Sequence, residues 1–384
     1  MVKMKLFLPL LLSFAAIIIA RAVTSDASLT PKQELGKRLF FDASLSTPPG
    51  EACAACHAPE AGFTGPDSAI NAAGAVYPGA VHKRFGNRKP PSSAYASFSP
   101  PFHYDEDEEM YVGGQFWDGR ALDLVEQAKG PFLNPLEQNN PTPKMVCLKV
   151  KQAPYAWLFT QVYGTGSLDP VRDIDGTYHR IAMAIASYEA SPESDQFTSK
   201  YDYYVAGLVN LTEQEMRGLE LFNGKGMCAE CHPSTPGPYA PKALFTDYTY
   251  DNLGIPKNPL NPFYEISEEW NPDGESWVDL GLGFTTGRDV DMGKFKVPTL
   301  RNVDKRPYPG FVKAYGHNGY FKSLKEIVHF YNTRDVEPWP PPEYPYNINR
   351  DELGNLGLTS EEEDAIVAFL RTLTDGYTIT ASKD

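Results

Sequence analysis

Cys53-Ala54-Ala55-Cys56-His57 returns later in the chain as Cys228-Ala229-Glu230-Cys231-His232. Each is a C-x-x-C-H segment, the attachment signature of a c-type haem. Two cysteines three residues apart on a helical turn present their thiols to one side, where they add to the two vinyl groups of one haem as thioethers. The adjacent histidine then lies under the iron and binds it as the proximal ligand. A structural zinc takes four ligands, and each segment offers three with no second pair nearby. A redox dithiol accounts for C-x-x-C and leaves the histidine without a role. The reading is therefore two covalently bound haems, one on Cys53, Cys56 and His57, the other on Cys228, Cys231 and His232.

Outward from these segments the chain repeats itself. Glu34-Leu35-Gly36-Lys37-Arg38-Leu39-Phe40-Phe41-Asp42 precedes the first, and Met216-Arg217-Gly218-Leu219-Glu220-Leu221-Phe222-Asn223 the second. Both read as helices whose Leu-Phe end packs towards a haem. Thr212 and Glu215 form a capping box for the second. A repeat this long is a duplicated domain and not a short-period array. Between the two, Thr177 to Ala190 reads as a helix with Ile181, Ala184, Ile185 and Tyr188 on one face, ended by Ser191-Pro192. The domain boundary is expected just beyond, giving domains at 23–195 and 196–384. Another helix starts at Thr359, with Ile366, Val367, Phe369 and Leu370 as its apolar face.

Strand signals are few, while 34 prolines and 31 glycines imply long loops. Three stretches read as solvated connections: the acidic run Asp105 to Glu109, Lys257 to Asp279 with Trp270 and Trp277, and the proline-rich Asp335 to Asn349. The acidic run is also a candidate docking patch. Cys147 reads as a small buried hydrophobe.

The first 22 residues read as a leader. Lys3 and Lys5 are followed by an apolar run from Leu6 to Ala20, shorter than the roughly 20 residues of a spanning helix, and by the A-x-A site Ala20-Arg21-Ala22. Cleavage after Ala22 would give a periplasmic or secreted chain without stable membrane insertion, the compartment type in which c-type haems are attached. Removing Lys3, Lys5 and Arg21 takes the net charge from −14 to −17. That balance argues against nucleic acid or anionic lipid as partners and suits a basic electron-carrier protein.

Further segments belong together: Phe116-Trp117-Asp118-Gly119-Arg120-Ala121, Glu126-Gln127-Ala128, Gly130-Pro131, Asn134-Pro135-Leu136-Glu137, and Phe295-Lys296-Val297-Pro298-Thr299-Leu300-Arg301-Asn302. With the two haem segments in this order, the chain closely resembles the bacterial dihaem cytochrome c peroxidase and MauG family from about Glu34 to Leu373. The resemblance implies a mainly α fold of two cytochrome c-like haem domains with long loops, the haems facing the domain interface. It makes the His57 haem the peroxidatic one and the His232 haem the electron relay. It places Trp117 between the haems, and Gln127 and Glu137 beside the bound peroxide. A glutamate whose pKa is raised by burial can shuttle the proton that peroxide cleavage requires. One departure is Gln138, where the family commonly has methionine.

The same resemblance puts the sixth ligand of the His232 haem on the helix Leu324 to Tyr331, after Gly316-His317-Asn318-Gly319. Tyr331 falls where typical peroxidases have methionine and MauG has tyrosine. A phenolate favours oxidised iron, whereas methionine raises the potential. His329 competes for this role, but two residues of helix rotate it about 200° away, so only one of the pair can face the haem. His82 is the histidine in the loop where resting peroxidases carry a movable ligand, and it reads as a surface residue. The family's interhaem calcium has Asn87 as a candidate side-chain ligand, with carbonyls near Pro307. The Arg306-Pro307-Tyr308-Pro309 sequence departs from the family pattern there.

The leading reading is an exported peroxidase reducing hydrogen peroxide with electrons from a small donor protein, a cytochrome c or cupredoxin. One alternative is a MauG-like enzyme that oxidises a residue of a protein substrate. The other is a non-catalytic electron-transfer cytochrome, which would have no need of the Gln127 and Glu137 pair. A homodimer stays open.

Overall fold

The computed structural model describes residues 28–379, so the expected leader lies outside the described residues. Helices and long loops build it. The only β-structure beyond isolated bridges, among the described residues, is two short antiparallel ladders, His103–Asp105 with Met110–Val112 and Tyr250–Asp251 with Phe295–Lys296.

Two hydrophobic cores share one design. In the first, helix Pro31–Phe40 crosses helix Ile174–Glu189 and buries Leu35, Leu39 and Phe40 against Ile181, Ile185 and Tyr188. In the second, helix Glu213–Asn223 crosses helix Ser360–Arg371 and buries Leu221 and Phe222 against Ile366, Phe369 and Leu370. Each crossing turns on a glycine. A Cβ on Gly36 would lie 1.9 Å from the Ala184 carbonyl oxygen, and one on Gly218 would lie 1.9 Å from that of Ala365. The backbones touch, so no side chain fits. The boundaries follow cap chemistry. Thr30 with Gln33, Thr212 with Glu215 and Thr359 with Glu362 form capping boxes. The helix expected from Thr177 begins at Ile174, because Asp173 accepts from the Gly176 N–H three residues before Thr177 could act as a cap. Cys147 is fully buried in the first core, as its apolar neighbours suggest.

A second duplication is local. Bridges Gln115↔Ala121 and Tyr315↔Phe321 close two matching loops, and the helices Leu124–Leu133 and Leu324–Thr333 follow, capped by Asp123 and Ser323. Inside each loop a short polar side chain folds back on the backbone: Asp118 Oδ1 accepts from Arg120 N at 3.3 Å, and Asn318 Oδ1 from Tyr320 N at 3.1 Å. The glycine between them, Gly119 or Gly319, has φ near 70° or 67°, which favours glycine.

Of the stretches read as solvated connections, the acidic run keeps that character, with Glu106 to Glu109 exposed, and residues 257–279 do not. The acidic run is the turn of the first hairpin, where Asp105 Oδ1 accepts from the N–H groups of Asp107 and Glu108. Residues 257–279 strap the two halves together. Asn258 donates to the carbonyls of Gly74 and Asn318, and Asn261 to that of Asn87. Arg84 stacks over Trp270, and Trp277 packs edge-on to Phe263. The strap is rich in Asn, Asp and Pro because its work is to satisfy buried backbone groups, and that composition is indistinguishable from a solvated loop.

Candidate active site

The C-x-x-C-H segments are single 3₁₀ turns, Cys53–Ala55 and Cys228–Glu230. The following histidine closes each turn, with His57 N donating to Cys53 O at 3.0 Å and His232 N to Cys228 O at 2.9 Å. Each trio lines its own cavity. Counting the open mouths, the cavities hold about 1240 Å³ at His57 and about 1710 Å³ at His232.

The histidines are set as ligands. His57 Nδ1 meets the Phe63 carbonyl at 3.2 Å and His232 Nδ1 that of Phe245 at 2.7 Å. Those bonds fix the tautomer and leave Nε2 with its lone pair for a metal. Burial lowers both imidazoles to about 4, so they are neutral at physiological pH. Burial also pushes the Cys53 and Cys228 thiols up to about 12, the opposite of a reactive redox dithiol. Two thiols and one free imidazole nitrogen on the wall of a large cavity fit a haem twice over.

The walls facing the histidines come from the two matching helices. Leu124, Gln127, Ala128 and Pro131 line the His57 cavity, and Leu324, Ile327, Val328 and Tyr331 stand at the matching positions of the His232 cavity. At His57, Glu137, Arg120 and Phe116 complete the lining. Asn134 Nδ2 donates to Glu137 Oε1 at 2.7 Å. Burial raises the Glu137 pKa; the Arg120 charge and the Asn134 bond pull it part-way back. At His232, burial raises the Tyr331 phenol. His329 does not line the cavity. It is on the opposite side of the helix, bonded through Nδ1 to Glu363 at 2.8 Å and through Nε2 to Glu337 at 3.2 Å. Trp117, Lys89 and Ser92 line both cavities. The Trp117 indole N–H donates to the Lys89 carbonyl at 2.9 Å.

A family profile described as di-haem cytochrome c peroxidase matches residues 30–210. The methylamine utilization protein MauG of Paracoccus denitrificans is 36% identical over 379 residues, covering 94% of this chain and 93% of its own. The cytochrome c551 peroxidase of Nitrosomonas europaea is 30% identical, with 89% and 79% covered. The diheme peroxidase BthA of Burkholderia thailandensis superimposes with a TM-score of 0.75 at 32% identity, over 91% of this chain and 87% of that one.

The chain belongs to the dihaem cytochrome c peroxidase and MauG family. Two haems and peroxide-dependent oxidoreductase chemistry come with the family. The mainly α, cytochrome c-like fold agrees with that of the solved dihaem peroxidases. Among the described residues no helix is long and apolar enough to cross a membrane.

His82 is a surface residue, as its sequence suggests, and lines neither cavity. Asn87 lines the His57 cavity, and its carbonyl is taken by Asn261. Pro307 is exposed; Lys313 and Ala314 line the His232 cavity instead. Sequence patterns gave no sign of Arg88, which ties the Trp117 block down: it binds Asp279 through two nitrogens at 2.6 and 2.7 Å and Asp118 at 2.7 Å. Nor did they mark the lysines Lys89, Lys296 and Lys313 at the cavities. No spacing rule singles these out, since their partners are brought up from distant loops.

Proposed function

We propose that this chain activates hydrogen peroxide at a haem joined to Cys53 and Cys56 and ligated by His57. A second haem, joined to Cys228 and Cys231 and ligated by His232 and Tyr331, relays electrons from a small donor protein. Haem iron supplies the centre at which peroxide is cleaved and where oxidising equivalents reside. The observation that carries the reading is the contrast at matching wall positions. Pro131 stands where the other cavity has Tyr331, so no phenol enters the His57 cavity at that position beside Gln127 and Glu137. Asn134 holds Glu137 Oε1, so Oε2 is free to take the proton from one peroxide oxygen and return it to the departing one. Gln127 orients peroxide without titrating. Trp117, which borders both cavities, is the aromatic through which charge crosses. Domains meeting near residue 195, and export after cleavage at Ala22, complete the reading.

Tyr331 favours a second reading, in which the oxidising equivalents go to a residue of a partner protein. A phenolate ligand stabilises oxidised iron, so the resting diferric protein would accept peroxide without prior reduction. Titration of wild type and Tyr331→Met with peroxide, followed by Mössbauer and EPR spectroscopy, tests both. The expected result is direct two-electron oxidation of wild type, and a Tyr331→Met variant that needs pre-reduction. Its haem potential should rise within the roughly 0.8 V range that axial ligands span. A wild type inert until half-reduced, or a variant with identical spectra, would remove Tyr331 as a ligand.

A further inference from the structure

Lys313 lines the His232 cavity and Lys89 lines both cavities. Lys313 is 5% exposed, and its Nζ points at three backbone carbonyls, Ala61 at 2.9 Å, Asn302 at 2.8 Å and Lys305 at 3.1 Å. Three acceptors around one nitrogen need three N–H donors, which an ammonium has and a neutral amine lacks. Lys89 Nζ donates to the Pro90 carbonyl at 3.1 Å and lies 3.4 Å from Thr64 Oγ1. It also sits 5.8 Å from the centre of the Trp117 ring. Among the described residues neither amine has a carboxylate within ion-pair distance. A cage of carbonyl and hydroxyl oxygens is what a hard cation such as calcium takes. Here that cage is filled by nitrogen cations from the chain itself. The Lys305 carbonyl, two residues from Pro307, is among the oxygens that Lys313 Nζ already takes, and Pro307 itself is exposed. A divalent ion would have to displace the Lys313 ammonium and then sit beside that of Lys89.

We propose that the ammonium groups of Lys313 and Lys89 take the place of a calcium ion between the haems, and that this chain holds its two haems in communication without calcium. Their buried charge is left for the acidic side chains that every such haem carries. Burial lowers both amines, Lys89 to about 8, the Lys89 charge lowers Lys313 further, and a haem carboxylate beside them would restore their charge. The inference rests on the two-haem reading above.

The test uses the purified full-length holoprotein. Haem is counted by pyridine haemochrome and calcium by plasma mass spectrometry after desalting from calcium-containing buffer. Two haems and no stoichiometric calcium are expected, with optical and EPR spectra unchanged by EGTA and by added calcium. Two haems with one calcium per chain, or spectra that change on chelation and recover with calcium, would overturn the inference alone. A ratio below two would break the haem assignment beneath it. Lys313→Met should lower the midpoint potential of at least one haem in a redox titration, because a nearby positive charge favours the added electron. Lys89→Met does the same should Lys313→Met fail to fold. Potentials equal to wild type in a folded variant would show that the lysine charge is not held between the haems.

Discussion

The two cavity walls are the same helix used twice. Leu124, Gln127, Ala128 and Pro131 in one cavity stand where Leu324, Ile327, Val328 and Tyr331 stand in the other. The loops before them match in bridge, turn and cap. The glycine crossings that position the histidines match as well. Against that identity of frame, two substitutions decide the chemistry. Gln127 stands in one wall where Ile327 stands in the other, and Pro131 where Tyr331 stands, with Glu137 also lining the first cavity. On the proposed function, a duplicated scaffold assigns peroxide to one haem and charge storage to the other through a few wall side chains.

The largest effect that would break this contrast is at Glu137. Glu137→Gln should slow the reaction with peroxide by roughly two to four orders of magnitude while both haems are retained. Stopped-flow mixing at several pH values reads it. Since burial raises its pKa, the wild-type rate should fall with acid through a midpoint above the ordinary value of about 4.3, and the variant should lose that limb. An unchanged rate would leave the first wall without its proton carrier. Pro131→Tyr should cut the rate comparably by giving the first wall the phenol of the second.

Next is the clamp that holds the Trp117 loop. Arg88→Leu leaves Asp279 buried without its partner and Asp118 with Arg120 alone, a cost of about 3–5 kcal/mol. Burial acts to raise the Asp279 pKa, but the Arg88 charge and hydrogen bonds outweigh it and hold it below the usual value. Its contribution to stability is therefore present above the unfolded pKa, near 3.9, and lost as pH falls through the lower folded value. Acid unfolding of wild type and Arg88→Leu should converge at low pH. Parallel curves would place the clamp's effect elsewhere.

Smaller, and meant to be equal, are the two crossings. Gly36→Ala and Gly218→Ala each drive a methyl into a carbonyl and should cost about 1–3 kcal/mol in denaturant unfolding. A difference larger than that range would show that the two cores are not equivalent. The smallest effect belongs to His329. Its ion pairs are half-exposed, so His329→Gln should cost about 0–1 kcal/mol and leave the haem spectra unchanged. A changed low-spin EPR signal would reopen the choice between His329 and Tyr331.

Much of the molecule is legible in the order of its residues, for local reasons. C-x-x-C-H carries its geometry within one turn, so Cys53, Cys56, His57 and their counterparts can be read directly as haem-site candidates. The rotation of a helix by itself separates Tyr331 from His329. Capping boxes at Thr212 and Thr359 mark helix starts, because a cap is a bond between residues three apart. Trp117, Gln127 and Glu137 are legible only through the family's block of motifs; their side chains alone are ordinary. What escapes has distant partners. Residues 257–279 look like solvent-exposed loop because an asparagine that satisfies a buried carbonyl has the same composition as one that meets water. Arg88 gives no signal because Asp118 and Asp279 reach it from two different loops.

The chain's own order of residues determined the two C-x-x-C-H segments, their histidines, the helices that pack behind them and that Tyr331 and His329 face opposite ways; the family's motifs chose Tyr331. Those follow from bonds and periodicities spanning a few residues. Only the tertiary structure decided that Pro131 stands where the twin wall has Tyr331, that Trp117 and Lys89 border both cavities, and that Lys313 is buried among three carbonyls. Such placements depend on which distant carbonyls and carboxylates surround a buried group, and no local pattern encodes that.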